Sequence, residues 1–218
     1  MALLACLKPE SPADEALRRV MGADDIPAEA HGLTSSAAAA LWVGKNPAMA
    51  IRLIAGWLST REAIWWGALC QAQLVKVNAA VGPHEVLTQV VNWVREPVEH
   101  NREVLGKPGR GDSSPIGLMA QGVVLTLDNL SPLKDHPVAC PAGLAHRMTG
   151  LAVLAAASRW PGRKRADCLN HFVALGVDVA DGLHLWADEA MDRHAGLRLG
   201  SVTTSGTHPS GNIWEKWQ

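Results

Sequence analysis

At 218 residues, with 20 basic and 21 acidic side chains and a formal charge of -1, the chain is long enough to bury a full hydrophobic core without disulfide or metal staples. The balanced charge disfavours nucleic acid and anionic membrane as partners, because either would call for a net positive field. No apolar run approaches the roughly 18 residues of a membrane span, so a globular protein with a polar surface is expected.

Leu3-Leu4-Ala5-Cys6 could be taken for a lipoprotein cleavage box, but it lacks the basic region and the roughly 7–15-residue apolar stretch of an export signal. The expected location is the cytoplasm. Cys6, Cys70, Cys140 and Cys168 are widely spaced, with no C-x-x-C pair, and read as reduced thiols. Proline then marks helix starts: Pro12, Pro47, Pro83, Pro97, Pro115 and Pro141 each precede an apolar-periodic run, the placement favoured at the first helical position. Helices are expected from Ser11 to about Met21 and over Ser35–Val43 and Pro47–Leu58.

The stretch from Ser59 to Asn78 carries the strongest architectural signal. Ser59 and Glu62 have capping-box spacing, and Trp65 and Trp66 follow within one turn. Adjacent helical residues point about 100° apart, so two neighbouring indoles need two different covering surfaces. A helix over Thr60–Asn78 is therefore expected at the centre of the array, joined to Pro47–Leu58 by almost no loop. Pro83–Arg95 and Pro97–Gly106 repeat the pairing, which suggests either a repeat-like stack of hairpins or an irregular bundle.

Gly106–Pro115 reads as a linker between halves, and contains Arg110-Gly111-Asp112, the tripeptide recognised by integrins, at a frequency that chance explains. Gln121–Asn129 is the one stretch with strand character, although helix is preferred for want of a pairing partner. Gly143–Arg159, Arg163–Leu175 and Val177–Asp192 are expected helices, the last two separated by Gly176 as a C-cap. The fold class is thus all-α, about eight to ten helices over a single domain of residues 1–199. Residues 200–218 form a flexible arm tipped by Trp214 and Trp217, two indoles at i and i+3 suited to docking on a groove.

Motifs for nucleotide, hydrolase and metalloprotease chemistry are absent from the sequence. Asp181, His184 and Asp188, at i, i+3 and i+7 of an expected helix, would share one face and could hold a divalent metal; a solvated polar face is the preferred reading. Cys168 with His171 and the set His136, Cys140 and His146 are weaker candidates for metal or nucleophile chemistry. No cofactor, metal or catalytic residue is assigned. Arg163, Lys164 and Arg165 place three cations at a helix start, where the dipole does not favour them, and serve solubility or an acidic partner.

Pro47–Leu58 followed by Arg61-Glu62-Ala63-Ile64-Trp65-Trp66-Gly67-Ala68-Leu69-Cys70 resembles a bacterial domain family of unknown function with an Arg-Glu-Ala-x-Trp-Trp-x-x-x-Cys helix. The stretch from Phe172 to Gly182 and the Trp93–Pro97 region extend the similarity over most of residues 45–185. The resemblance carries no assigned activity. It implies an adaptor or accessory role beside bacterial secretion systems, type VI among them. The reading is a non-enzymatic protein–protein interaction protein with a protein partner, set against a metal-binding protein or enzyme built on Asp181, His184 and Asp188.

Overall fold

The computed structural model describes residues 11–77, 82–109, 111–131, 133, 135–184 and 186. Among them the chain forms α1 (Ala13–Arg18), α2 (Ser35–Trp42), α3 (Pro47–Trp57), α4 (Thr60–Val75), α5 (His84–Arg95), α6 (Glu99–Glu103), α7 (Gly106–Gly109), α8 (Pro115–Val124), α9 (Leu144–Ala157) and α10 (Arg165–Ala180). Two single 3-10 turns, Ala23–Asp25 and Ala28–Ala30, join α1 to α2. The fold is all-α, and no strand forms among the described residues beyond two isolated bridges.

Capping chemistry sets several of these starts. Thr34, Asn46 and Ser114 each accept a hydrogen bond from the backbone amide three residues on, and Pro47 and Pro115 occupy the first helical position. Ser59 and Glu62 complete the full capping box: the Glu62 amide donates to Ser59 Oγ, while the Glu62 carboxylate accepts from the Ser59 amide at 3.1 Å and its hydroxyl at 2.8 Å. Pro12 and Pro83, expected inside their helices, instead precede them as N-caps in extended conformation.

Helix α4 is the axis of the molecule. Residues 62–72 are buried without a break, so the helix is enclosed on every side. Trp65 and Trp66 are both fully buried, and each indole N–H finds a backbone acceptor: Trp66 Nε1 donates to Phe172 O at 2.9 Å, and Trp65 Nε1 to His184 O at 2.5 Å. Around α4 stand α5, α8, α9 and α10, and the broadest helix–helix interface joins α8 to α9. Helices α3 and α4 meet at a corner, departing from the side-by-side pair that the short link suggests. Leu58 and Ser59 are both extended, which redirects the chain without reversing it, and both helices rest on α9.

The C-terminal helical region differs from expectation in one instructive way. No break occurs at Gly176: α10 runs uninterrupted from Arg165 to Ala180. The glycine is there for proximity. A Cβ at that position would lie 2.4 Å from Ile54 Cγ2 and 3.0 Å from Trp66 Nε1, so its absence lets α10 close onto α3 and α4. The 106–115 stretch, expected as a linker, holds the short helix α7 with Gly109 buried against α8, and buried residues on both sides of it join one core. The expected extension of a helix through Asp192 lies outside the described residues apart from 181–184 and Trp186, and the arm of residues 200–218, with Trp214 and Trp217, lies outside them altogether.

Truncating either Trp65 or Trp66 to Ala empties a large closed site and is expected to cost about 3–5 kcal/mol in urea denaturation. Gly176→Ala supplies a sharper check. In an ordinary helix interior the change would stabilise by about 0.5–1 kcal/mol; here the added methyl must displace Ile54 and Trp66, and a loss of about 1–3 kcal/mol is expected.

Candidate functional site

The long connection between α8 and α9, residues 125–143, carries the clearest outward-facing apolar surface. The strand character noted around Gln121–Asn129 resolves into two parts: α8 runs to Val124, and Asn129 then forms an antiparallel bridge with Ala139. The pairing partner comes from beyond Pro132 and Pro137, which is why no nearby segment suggested it. Leu130 N donates to Val138 O at 2.7 Å and Cys140 N to Asp128 O at 3.0 Å. Asn129 Oδ1 ties the two arms by accepting from Ser131 N and Val138 N, and Ser131 Oγ accepts from Leu133 N. The two described arms are thereby joined, and Leu130, Leu133 and Val138 stand in solvent, the last two at 60% and 54% exposure.

A second surface surrounds the start of α10. Lys164 is its N-cap, without a side-chain cap bond, and Arg163, Lys164 and Arg165 are all exposed. The Arg163 guanidinium lies 5.0 Å from the Trp160 ring centroid, and that indole packs at a tilt on Phe172. Arg163 is thus anchored on an aromatic base, with Lys164 and Arg165 exposed beside it.

The third feature is the segment that follows α10. Asp181 is the helix C-cap, Gly182 takes a φ of 80°, and His184, at φ 55°, is the non-glycine residue with a left-handed backbone among those described. These turns fold the chain back onto α4 and bury Trp186 at 3% exposure, with its ring 6.1 Å from Trp65 in an edge-on arrangement. Arg61 stacks over Trp186 at 4.3 Å while its Nε and Nη2 donate to Val94 O and Arg95 O at the end of α5.

This geometry corrects the proposed Asp181, His184 and Asp188 face. Helix α10 stops at Ala180, so Asp181 and His184 are not a turn apart on one helix; His184 pairs instead with Asp178 at 3.5 Å, and Asp188 lies outside the described residues. Gly182 and the left-handed His184 end the periodicity on which that face depended. No group of three or more His, Cys, Asp or Glu side chains is placed to hold a metal among the described residues, and no helix among them is long and apolar enough to cross a membrane.

The remaining candidates are dispersed. Cys168 is buried and its thiol pKa is raised by burial, while His171 Nε2 meets Gln73 Oε1 at 2.5 Å. Cys70 and Cys140 are also free thiols raised above the ordinary value by desolvation, with Asp128 adding to the effect at Cys140, so none of the three is activated towards thiolate. His136 is exposed on the hairpin, whereas His146 is buried in α9. Asp112 of the Arg-Gly-Asp tripeptide is turned inward, accepting from Ser114 N and Oγ, so its carboxylate serves the start of α8.

Residues 37–180 match a family model described as a family of unknown function (DUF6931). The chain belongs to that family. The matched span contains α3 to α10 and the hairpin, and ends before Trp186. No curated protein and no solved structure matches the chain. The resemblance noted in the Arg61–Cys70 segment is thus matched by a family without an assigned activity, and family membership brings no catalytic residue to transfer.

His146 generates a pH dependence. Burial first, and the neighbouring Arg19 charge second, lower its pKa from 6.5 to about 4; a contact with the Leu58 backbone pulls the other way without restoring it. Its ring nitrogens lack a hydrogen-bond partner among the described residues. Between pH 6.5 and about 4 the unfolded chain binds this proton and the folded chain does not, so this contribution is complete above pH 6.5 and is lost as the pH falls. The loss amounts to about 3 kcal/mol by pH 4. Urea denaturation across that range is expected to show it, and His146→Phe to flatten the slope.

Proposed function

We propose that this chain is a non-enzymatic interaction protein that works as an adaptor, and that the hairpin between α8 and α9 is its principal contact surface. The observation that carries the reading is the exposure of Leu133 and Val138 on a connection whose described arms are joined by hydrogen bonds of Asn129, Leu130 and Cys140. Loops carried on a helical scaffold are where contacts are commonly placed, and exposed apolar side chains there gain from being covered. The exposed Arg163, Lys164 and Arg165 offer a second contact, suited to an acidic surface.

In its finest form the proposal is an accessory role at a bacterial type VI secretion apparatus, exercised from the cytoplasm through a protein partner. It has its support in the sequence resemblance and in the exposed Leu130, Leu133 and Val138 gathered on one connection. A double substitution Leu133→Glu/Val138→Glu touches side chains that the core does not use and is expected to leave the melting temperature within about 2 °C. In a deletion strain of the native host it should fail to restore secretion, read as substrate release into the medium, where the unaltered chain restores it. Full restoration by the double variant would remove the hairpin from the proposal. Normal secretion in the deletion strain itself would remove the secretion role.

A further inference from the structure

We infer that His146 is a proton-sensitive seat for α1: when its imidazole gains a proton in acid, residues 13–21 open away from α3 and α9 ahead of any unfolding of the helical body. The device is separate from the hairpin surface and does not depend on it.

Helix α1 is held by close backbone contact and by little apolar bulk. It has six residues, of which Ala13, Ala16 and Leu17 are buried. A Cβ at Gly56 of α3 would collide with the Ala16 carbonyl oxygen and one at Gly143 with that of Arg19, so two glycines let α1 settle directly onto α3 and the start of α9. Two side chains close the joint: Arg19 Nη1 donates to Gly56 O at 3.2 Å, and Arg147 Nε donates to Arg19 O at 3.4 Å. Gly56, Gly143 and His146 lie within the span that matches the family, whereas α1 lies before it. A helix of this length does not persist alone, so detachment also unwinds it.

His146 stands at this joint, between Gly143 and Arg147, the two residues that meet the Arg19 backbone. It is 8% exposed, and neither ring nitrogen has a hydrogen-bond partner among the described residues. No free anion awaits an imidazolium there. Helix α9 carries Arg147 and no acid, α3 carries Arg52 and no acid, and α8 carries no charge. On α4, Arg61 is bound to the end of α5 and the Glu62 carboxylate to Ser59; on α1, Asp14 pairs with Arg18 and Glu15 with Arg19; ahead of α9, Asp128 acts on Cys140. The charge that acts on the ring is Arg19, of the same sign as the incoming proton, and only the Leu58 backbone opposes it. Opening α1 removes that guanidinium and admits water to the ring in one movement. The closed form holds the His146 pKa at about 4, against 6.5 for a solvated imidazole, so closure is favoured above pH 6.5 and loses ground as the pH falls. Between pH 7 and pH 4 the open fraction of α1 rises about 100-fold. Because the body takes up the proton once α1 is off, the acid loss of global stability assigned to His146 is an upper limit.

The test is native-state hydrogen exchange on the full chain, read by NMR at pH 7 and pH 4 and corrected for the intrinsic exchange rate at each pH. The amides of Arg19, Val20 and Met21, which donate to Ala16 and Leu17 carbonyls at the end of α1, are expected to lose about 100-fold in protection. Those of residues 62–72 in α4 should stay at least about 10-fold better protected than α1 at pH 4. In His146→Gln, whose side chain does not titrate, the loss at α1 should shrink to under about 3-fold. Should that variant fail to fold, His146→Phe takes its place with the same expectation. Unchanged protection of α1 at pH 4 overturns the proposal, and so does an equal fall in α1 and α4, which is global unfolding. The same loss at α1 with and without the imidazole overturns it as well, because the opening then belongs to other titrating groups.

Discussion

Two adjacent indoles on one helix impose the arrangement of the rest of the molecule. Trp65 and Trp66 point in directions about 100° apart, each is too large to be covered by a single neighbouring side chain, and each carries an N–H that must be satisfied once water is removed. One helix cannot meet both demands. Trp66 is met by α10, whose Phe172 carbonyl accepts its N–H and whose Gly176 allows the approach; Trp65 is met by the segment beyond α10, through the His184 carbonyl and the Trp186 ring. The path of the chain after residue 165 is therefore governed by two side chains a hundred residues earlier.

The same constraint explains why polar residues inside the core are few and specific. Glu62 is almost wholly buried, yet its carboxylate works at the helix start, where the Ser59 amide and hydroxyl meet it and the dipole favours negative charge. Gln71, a turn and a half after Trp66, donates to the Ala152 carbonyl and so joins α4 to α9. His146 is a buried imidazole whose protonation its surroundings disfavour. A core organised in this way fixes geometry; its described thiols are shifted away from reactivity and its carboxylate is engaged in capping.

Function in such a body falls to what the core does not absorb. The hairpin before α9 and the start of α10 project from opposite ends of helices whose inner faces are closed, and both present side chains whose removal leaves packing intact. Trp186 differs in kind, because its ring lies in the core against Trp65 with Arg61 stacked over it. Exposed side chains of the first kind lie outside the core, whereas Trp186 belongs to it.

The sequence alone determined the all-α class, the starts of α2, α3, α4 and α8 to within a residue or so, and the burial of Trp65 and Trp66, because capping residues and helical periodicity act over three or four neighbours. It also marked Arg163, Lys164 and Arg165 as an exposed cluster. Tertiary structure decided what one-dimensional rules leave open. Glycine at 176 is compatible with a helix end and with close packing, and only the presence of Ile54 and Trp66 opposite it selects the second. The spacing of Asp181, His184 and Asp188 describes a helical face only if the helix continues, and the acceptor that Trp65 requires turns the chain aside after Ala180. The hairpin escaped notice for a related reason. Asn129 and Ala139 pair across a proline-containing stretch with no alternating pattern, so their partnership, and the outward placement of Leu133 and Val138, exist only once the two arms meet in space.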